Sequence, residues 1–170
     1  MENAETPTIN KKLNGFARQK LLTVMNYHIG NLRDDDYDEI ETMFECVFPE
    51  SETGLQDAFE YRIQNLSKGI YLDSGELAGF ILCDVYGKNF EDIKINYIVV
   101  HPAYQKQGFG SILLNHIINL CLKMKKQVKL TPVMKLHILR WYRRHGFRIS
   151  KVADAYGGGK FYEMTYRLQA

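Results

Sequence analysis

The sequence predicts a single α/β domain. Apolar runs with strand-like composition alternate with stretches whose apolar residues recur every three or four positions, as on one face of a helix. One apolar run, 95–100, leads through a glycine-spaced turn at 105–110 directly into a helical stretch. At 170 residues, the chain is long enough to bury one core without disulfides or metals.

The first part of the chain predicts a leader, a strand and two helices. Residues 1–19 are polar and are expected to form a flexible leader before a single domain at 20–170. A strand is expected at 21–29. The acids after Arg33 stop it and provide the start of a helix that Pro49 ends. Helical spacing of apolar residues then continues over 54–65.

Three strands are predicted next. Residues 70–72 and 77–86 flank a short turn whose Asp-Ser-Gly composition suits a hairpin. The strand at 93–100 is almost entirely apolar or β-branched toward its end, which predicts a central strand that is buried on both faces.

The second half of the chain predicts two further helices and three strands. The helix at 108–125 has a broad apolar stripe and a basic last turn, which suits the helix dipole. We expect the remaining elements in this order: a strand at 128–131, a helix at 133–145, and strands at 147–152 and 161–168.

Charge is divided along the chain although the net charge is only +2. The segment 34–60 contains eleven acids and no Lys or Arg, whereas 93–153 contains twelve bases and no acid. This division predicts partners of opposite charge at two sides of the fold. Three cysteines without a Cys-x-x-Cys pair indicate a reducing, cytoplasmic environment, and no apolar run is long enough for a membrane helix.

The turn Gln105-Lys106-Gln107-Gly108-Phe109-Gly110 suits a phosphate. Its glycines allow close backbone approach, and the following helix directs free N–H groups and a positive dipole end at the same point. A later segment, Trp141-Tyr142-Arg143-Arg144-His145-Gly146-Phe147, ends the last helix. With the order of elements, these two motifs resemble the GNAT superfamily of acetyl-CoA-dependent N-acetyltransferases.

The resemblance implies a mixed seven-stranded sheet with helices on both faces, and acetyl-CoA as donor without a metal. It implies that the fourth strand splays from the fifth at a bulge and holds the pantetheine arm. The cofactor-binding residues expected are Ile98, Val99, Val100, Gln105, Lys106, Gln107, Gly108, Phe109, Gly110, Ser111 and Lys135. Lys135 stands where many relatives have an Asn, so it could reach phosphate only as a point charge.

Catalytic roles also follow from the resemblance. Tyr142 matches the tyrosine that can protonate the departing thiolate, although a core position for its ring is the alternative. Several relatives have a Glu on the fourth strand where this chain has Lys94 or Asn96. Asn96 could hold a water that relays a proton, or Asp84 or Glu163 could act as the base.

The acidic segment maps to the wall of the acceptor site in this family, so Asp34, Asp35 and Asp36 are expected to bind substrate. A cationic acceptor follows, either a polyamine, another small amine or a Lys-rich protein. The alternatives are an acyl-CoA sensor that has lost turnover and a solvated acidic surface. A nucleic-acid partner is not expected, because basic and aromatic residues do not interleave. The chain is expected to be a monomer or homodimer, away from membranes.

Overall fold

The computed structural model describes residues 25–49, 54–88, 91–154 and 158–167. Within these ranges seven strands form one mixed sheet in the order β1-β2-β3-β4-β5-β7-β6. The strands are β1 (Tyr27–Asn31), β2 (Lys68–Leu72), β3 (Leu77–Tyr86), β4 (Asp92–Val100), β5 (Val128–Leu130), β6 (Arg148–Asp154) and β7 (Lys160–Tyr166). The helices are α1 (Tyr37–Val47), α2 (Leu55–Glu60), α3 (Phe109–Lys123) and α4 (Leu136–Arg144). The predicted α/β class, element order and mixed seven-stranded sheet are confirmed.

The sheet has one parallel contact, between β4 and β5, and its other neighbours are antiparallel. β4 is the middle strand, as predicted. The prediction that it is buried on both faces is wrong for its second half, where Asn96, Tyr97 and Ile98 are only half-buried. The reason is that β4 loses its β5 neighbour after Ile95.

Helices cover both faces of the sheet. Successive strand residues point to opposite faces, so Ile81 packs with α3 residues such as Leu113, whereas Phe80 packs with Ile40 and Phe59 of α1 and α2. Each face therefore has its own apolar core. No helix in the part of the chain described here combines the length and apolarity that a membrane span needs.

Three predicted elements have a boundary that differs from the structure by three residues or more. The first strand occupies Tyr27–Asn31 rather than 21–29, because pairing with β2 defines it; residues 21–24 and the leader lie outside the described residues. α2 ends at Glu60 instead of residue 65, since the N–H of Ile63 donates to the Cys83 carbonyl of β3 at 2.8 Å. α4 begins at Leu136 because Lys135 has an extended backbone.

A buried carboxylate joins the start of α1 to the sheet. Asp36 is 2% exposed and accepts from the Arg33 backbone N–H and guanidinium, each at 2.7 Å, and from the Tyr71 hydroxyl. Burial acts to raise the pKa of this carboxyl, but the hydrogen bonds from Arg33 and Tyr71 outweigh burial and lower the pKa overall. Asp36 therefore has a structural role.

We expect Asp36→Asn to destabilise the protein at pH 7 by roughly 1.5–3 kcal/mol, the range for a hydrogen bond to a charged group. Because the native pKa is lowered, the carboxylate contributes stability above its unfolded pKa of about 3.9, and that contribution disappears as pH falls through the native value. Urea unfolding between pH 2 and 7 should therefore show a flatter acid limb for Asp36→Asn. Asp35→Asn, at an exposed neighbour, should match the wild type.

Candidate active site

The central feature of the site is a gap between β4 and β5. The two strands pair at Ile93–Val128, Lys94–Lys129 and Ile95–Leu130, and no further. Across the β3–β4 ladder the register shifts at the same level, from Cys83–Ile95 to Leu82–Tyr97, which leaves Asn96 as an extra residue in β4. Such a bulge bends the strand. β4 then continues to Val100 with its β5 side open, as the resemblance implied.

Hydrogen-bond alternation shows which backbone groups face the gap. The N–H of His101 donates to the Ala78 carbonyl of β3 at 3.0 Å. In an antiparallel ladder every second residue points to the same neighbour, so Val99 also bonds toward β3, while Ile98 and Val100 point into the gap. Val99 was expected to bind the cofactor together with Ile98 and Val100. Its backbone instead faces β3, and its side chain is 1% exposed in the α1/α2 core.

The turn after β4 is braced by its own glutamines. The side-chain amide of Gln105 donates to the Val100 carbonyl at 3.0 Å, and that of Gln107 to the Ala103 carbonyl at 3.1 Å. Gln105 is among the residues expected to bind the cofactor, but its side-chain amide is used within the turn. The N–H groups of Ile98 and Val100 and the carbonyl of Ile98 remain on the gap side.

α3 begins directly after the glycine-spaced turn. Gly108 has φ of 101° and is the N-cap of the helix, while Lys106, with φ of 61°, is exposed in the turn. The N–H groups at the first turn of a helix have no intrahelical acceptors, which leaves those of Phe109, Gly110 and Ser111 for a ligand. The Phe109 side chain itself is buried, so only its backbone can contribute.

Tyr142 lies on the α3/α4 face of the sheet. Its ring is 6% exposed and packs edge-on against Trp141 and Phe147, at centroid distances of 4.8 and 5.6 Å. Burial raises the pKa of its hydroxyl. Trp141 lies next to Gly110, where an added Cβ would be 3.6 Å from its ring, so α4 contacts the beginning of α3. Lys135 is exposed at the N-cap of α4.

A cavity of about 380 Å³ opens on the other face, beneath α2. Carboxylates, an amide, a lysine and aromatic rings form its walls, which consist of Gly54, Asp57, Ala58, Tyr61, Asp84, Lys94, Ile95, Asn96, Tyr97 and Thr131. A second cavity, of about 560 Å³, adjoins it at Gly54 and Asp57 and includes Glu41 and Glu45 of α1. Together they form a groove with acidic walls that begins at the β4 bulge.

The acids that were expected to bind the acceptor lie outside the two cavities. None of Asp34, Asp35 and Asp36 lines either cavity. Asp36 is buried in the contacts described above, and Asp34 pairs with Arg62 at 2.6 Å. Glu163 is also absent from the cavity walls, and its carboxylate accepts from Ser150 at 3.3 Å. Asn96 and Asp84 do line the smaller cavity.

Sequence reasoning missed Asp57, Tyr61 and Thr131 as site residues. Asp57 was visible only as one member of the acidic segment. It reaches the cavity wall from α2. Thr131 follows the last paired residue of β5 and lies opposite the bulge. No spacing in the sequence singles these residues out.

A family model described as "Acetyltransferase (GNAT) domain" matches residues 67–149, which contain the gap, the glycine turn and Tyr142. This chain carries a GNAT acetyltransferase domain. The predicted superfamily is confirmed, and the protein is an acyltransferase. The GNAT segment includes β2 to α4 and every residue of the turn at the start of α3.

Solved structures share this GNAT fold. Naa50 from Arabidopsis thaliana, in complex with the bisubstrate analogue CoA-Ac-MVNAL, superimposes with a TM-score of 0.68 at 20% identity, over 84% of this chain and 99% of that one. The ribosomal-protein-S18-alanine N-acetyltransferase from Escherichia coli gives 0.68 at 17% identity, over 85% and 97%. Ard1 from Thermoplasma volcanium gives 0.71 at 19%, over 84% and 99%. A comparison with curated protein sequences finds no match.

The position of the gap depends on Gly79. A Cβ at this residue would lie 2.8 Å from the Val99 carbonyl oxygen and 3.2 Å from the Val100 Cα, both backbone atoms of β4. We expect Gly79→Ala to displace β4, to cost about 1–3 kcal/mol of stability as overpacking does, and to weaken binding of coenzyme A. Thermal unfolding and isothermal titration calorimetry would measure the two effects.

Gly30→Ala is the matched control for this prediction. Its added Cβ would be 3.2 Å from the Tyr71 ring, a side chain on the β1 side of the sheet. It should lower stability slightly and leave the affinity for coenzyme A unchanged. An affinity of Gly79→Ala equal to that of the wild type would contradict a role for the β4 edge in binding.

Proposed function

We propose that the protein transfers the acetyl group of acetyl-CoA to a primary amine of a cationic acceptor. The observation that carries this proposal is the open β4 edge at Ile98 and Val100 beside the N-terminus of α3. An extended amide-bearing arm and a diphosphate, joined in one molecule, match a free strand edge followed by a helix N-terminus. Coenzyme A has this combination.

The residues at the gap fit the donor. The N–H of Ile98 or Val100 would bind amide oxygens of the pantetheine arm or polarise the thioester carbonyl, an effect of roughly 2.7–4 kcal/mol per donor in comparable sites. The backbone from Gly108 to Ser111 would hold the diphosphate, with Lys106 as an additional charge. Lys135 remains a proposed phosphate contact, since it is exposed at the start of α4. When bound, acetyl-CoA supplies the electrophilic carbonyl carbon.

The groove supports a cationic acceptor. Carboxylates of Asp57, Asp84, Glu41 and Glu45 line its two cavities, against one lysine, Lys94. Acidic walls of this kind attract amines that are protonated in solution. A polyamine, another small amine and the lysine side chain of a basic protein all meet this requirement.

The state of the cysteines supports direct attack by the amine on the thioester. Cys83 and Cys121 are buried, and burial raises the pKa of both thiols, that of Cys121 to about 11. Neither is a thiolate at neutral pH, and the thiolate is the nucleophilic form. Cys46 is exposed on α1 and does not line either cavity. A ternary complex without a covalent enzyme intermediate follows.

An acyl-CoA sensor with the same fold is the second candidate. Its support is the absence of a carboxylate on the part of β4 that lines the cavity, where Lys94 and Asn96 stand. Such a protein would bind acetyl-CoA and leave it intact.

The two candidates separate in an assay of free thiol released from acetyl-CoA. We expect thiol release with spermidine, a Lys-rich peptide or a small diamine, and little with a neutral or acidic amine of the same size. Binding should be recorded in parallel as a rise in melting temperature. A rise in melting temperature with acetyl-CoA, without thiol release from any amine, would favour the sensor.

Tyr142→Phe should lower kcat by about 10²-fold, the lower end of the range for general acid catalysis, and leave the affinity for coenzyme A unchanged. The Phe ring preserves the contacts with Trp141 and Phe147, so stability should hold. Because burial raises the pKa of Tyr142, the hydroxyl is protonated throughout pH 6–9 and the loss should be constant over this range. A kcat equal to that of the wild type would remove Tyr142 from the acid role.

A further inference from the structure

Amine acetylation requires a base, and β4 of this chain has none on the cavity wall. A primary amine has a pKa of about 10.4, so nearly all of it carries an extra proton at pH 7 and cannot attack carbon. The polar β4 side chains that line the 380 Å³ cavity are those of Lys94, Asn96 and Tyr97, and none is a carboxylate. The inference that follows rests on the function proposed above and concerns the group that removes this proton.

β3 supplies a carboxylate to the same cavity. Asp84 is half-buried on the cavity wall and pairs in register with Lys94, so the two side chains project from the same face of the sheet. Asn96 lies two residues farther along β4. Asn96, the extra residue of the bulge, lines the same cavity as Asp84, so an amino group in this cavity can meet both the Asp84 carboxylate and the Asn96 amide.

The carboxylate of Asp84 is held in place by the backbone. Its Oδ1 accepts from the N–H of Val85 at 2.6 Å. Lys94, although opposite in register, places its Nζ 6.0 Å from the centroid of the Tyr86 ring. Positioning of one oxygen by the main chain leaves Oδ2 as the atom that can accept a proton from a substrate.

The other carboxylates are less well placed. Asp57 shares the cavity but is exposed on α2, where it suits attraction of the acceptor more than proton transfer at the gap. Glu163 belongs to β7, accepts from Ser150, and does not line the cavity. Among the carboxylates that the structure describes, Asp84 is thus the one that combines a place on a strand, a fixed oxygen and the wall beside the bulge.

We propose that Asp84 is the general base of the acetyl transfer. Oδ2 takes one proton from the ammonium of the acceptor, and Asn96 Oδ1 orients the resulting amine. The nitrogen lone pair forms the C–N bond, and the C–S bond breaks with its electron pair going to sulfur. The nitrogen then releases its second proton to solvent as the amide forms. Tyr142, on the opposite side of the gap, protonates the sulfur and regains a proton from solvent.

Four titratable groups face Asp84 within the cavity. These are Asp57 of α2, Tyr61 directly after α2, and Lys94 and Tyr97 of β4. Lys94 adds a positive charge to the cavity wall and Asp57 a negative one. The cavity is open to solvent, so the proton taken from the acceptor can leave after each turnover.

The test is the pH dependence of Asp84→Asn. The amide keeps the Oδ1 that accepts from Val85 but cannot take a proton at the other position. We expect kcat to fall by about 10²-fold at pH 7, within the range for general base catalysis, with little change in the KM of the acceptor. The loss should shrink as pH approaches about 10, where the free amine is abundant. The affinity for coenzyme A should be unaltered.

Comparison variants separate a base from other roles. Asp57→Asn, in the same cavity, should raise the KM of a cationic acceptor without changing the shape of the pH profile. Asp73→Asn, an exposed carboxylate in the β2–β3 turn, should match the wild type. Asp84→Glu keeps a carboxylate and should retain the wild-type pH profile at a reduced rate. It provides the decisive measurement if Asp84→Asn does not fold.

Several results would overturn the assignment. These are a kcat of Asp84→Asn equal to that of the wild type, a loss independent of pH, a loss confined to KM, or the same pH-dependent loss in Glu163→Gln. An Asp84→Glu variant without a wild-type pH profile would also contradict it. Failure of the proposed function itself is distinct, because the wild-type protein would then release no thiol with any amine.

Discussion

One extra residue in β4 determines the geometry of the site. Before the bulge, the N–H of Ile93 donates toward β5, to the Gln127 carbonyl at 2.9 Å; after it, the N–H of His101 donates toward β3, at 3.0 Å. The insertion at Asn96 shifts the alternation by one position, so it is Ile98 and Val100 that point away from β3. The same insertion ends pairing with β5. Unpaired main-chain groups are costly unless water or a ligand satisfies them, so a binding edge follows.

The gap connects two surfaces of opposite charge. The acids of 34–60 belong mainly to α1 and α2 on one face, and many of the bases of 93–153 belong to α3, α4 and the turn before α3. An anionic donor and a cationic acceptor would therefore approach the same opening from different sides of the sheet. Lys94 is an exception to this division, since it lies on the wall of the 380 Å³ cavity beside Asp57 and Asp84. The acidic and basic segments of the sequence therefore lie on different sides of the molecule, with β4 between them.

Much of the fold followed from local sequence signals. β3 was predicted at its observed bounds, and the α3 start followed from Gly108, whose positive φ suits glycine. Long-range contacts account for the errors. The hydrogen bond from Ile63 to Cys83 shortens α2, and no local pattern encodes it. Gln105 and Gln107 were expected to bind the cofactor, but their side-chain amides donate to the carbonyls of Val100 and Ala103 within the turn.

The residues that would bind the acceptor were harder still to predict from local sequence signals. Acid content predicted a cationic partner that binds Asp34, Asp35 and Asp36. Asp36 instead accepts hydrogen bonds from Arg33 and from Tyr71, which is distant in sequence. Which carboxylates reach the cavity depends on strand register, and register depends on the bulge. The acids that line the groove therefore come from α1, α2 and β3 together.

The burial of Tyr142 bears on its proposed role as an acid. In sequence terms, core packing and proton donation were competing explanations, but a residue that is 6% exposed at the α3/α4 core can serve both. Burial raises its pKa, which alone would make transfer to a free thiolate of ordinary pKa, about 8.5, unfavourable. A thiolate that formed in the same desolvated space would have its own pKa raised for the same reason. Desolvation would then act on both groups in the same direction, so the burial of Tyr142 does not by itself oppose proton transfer to the thiolate.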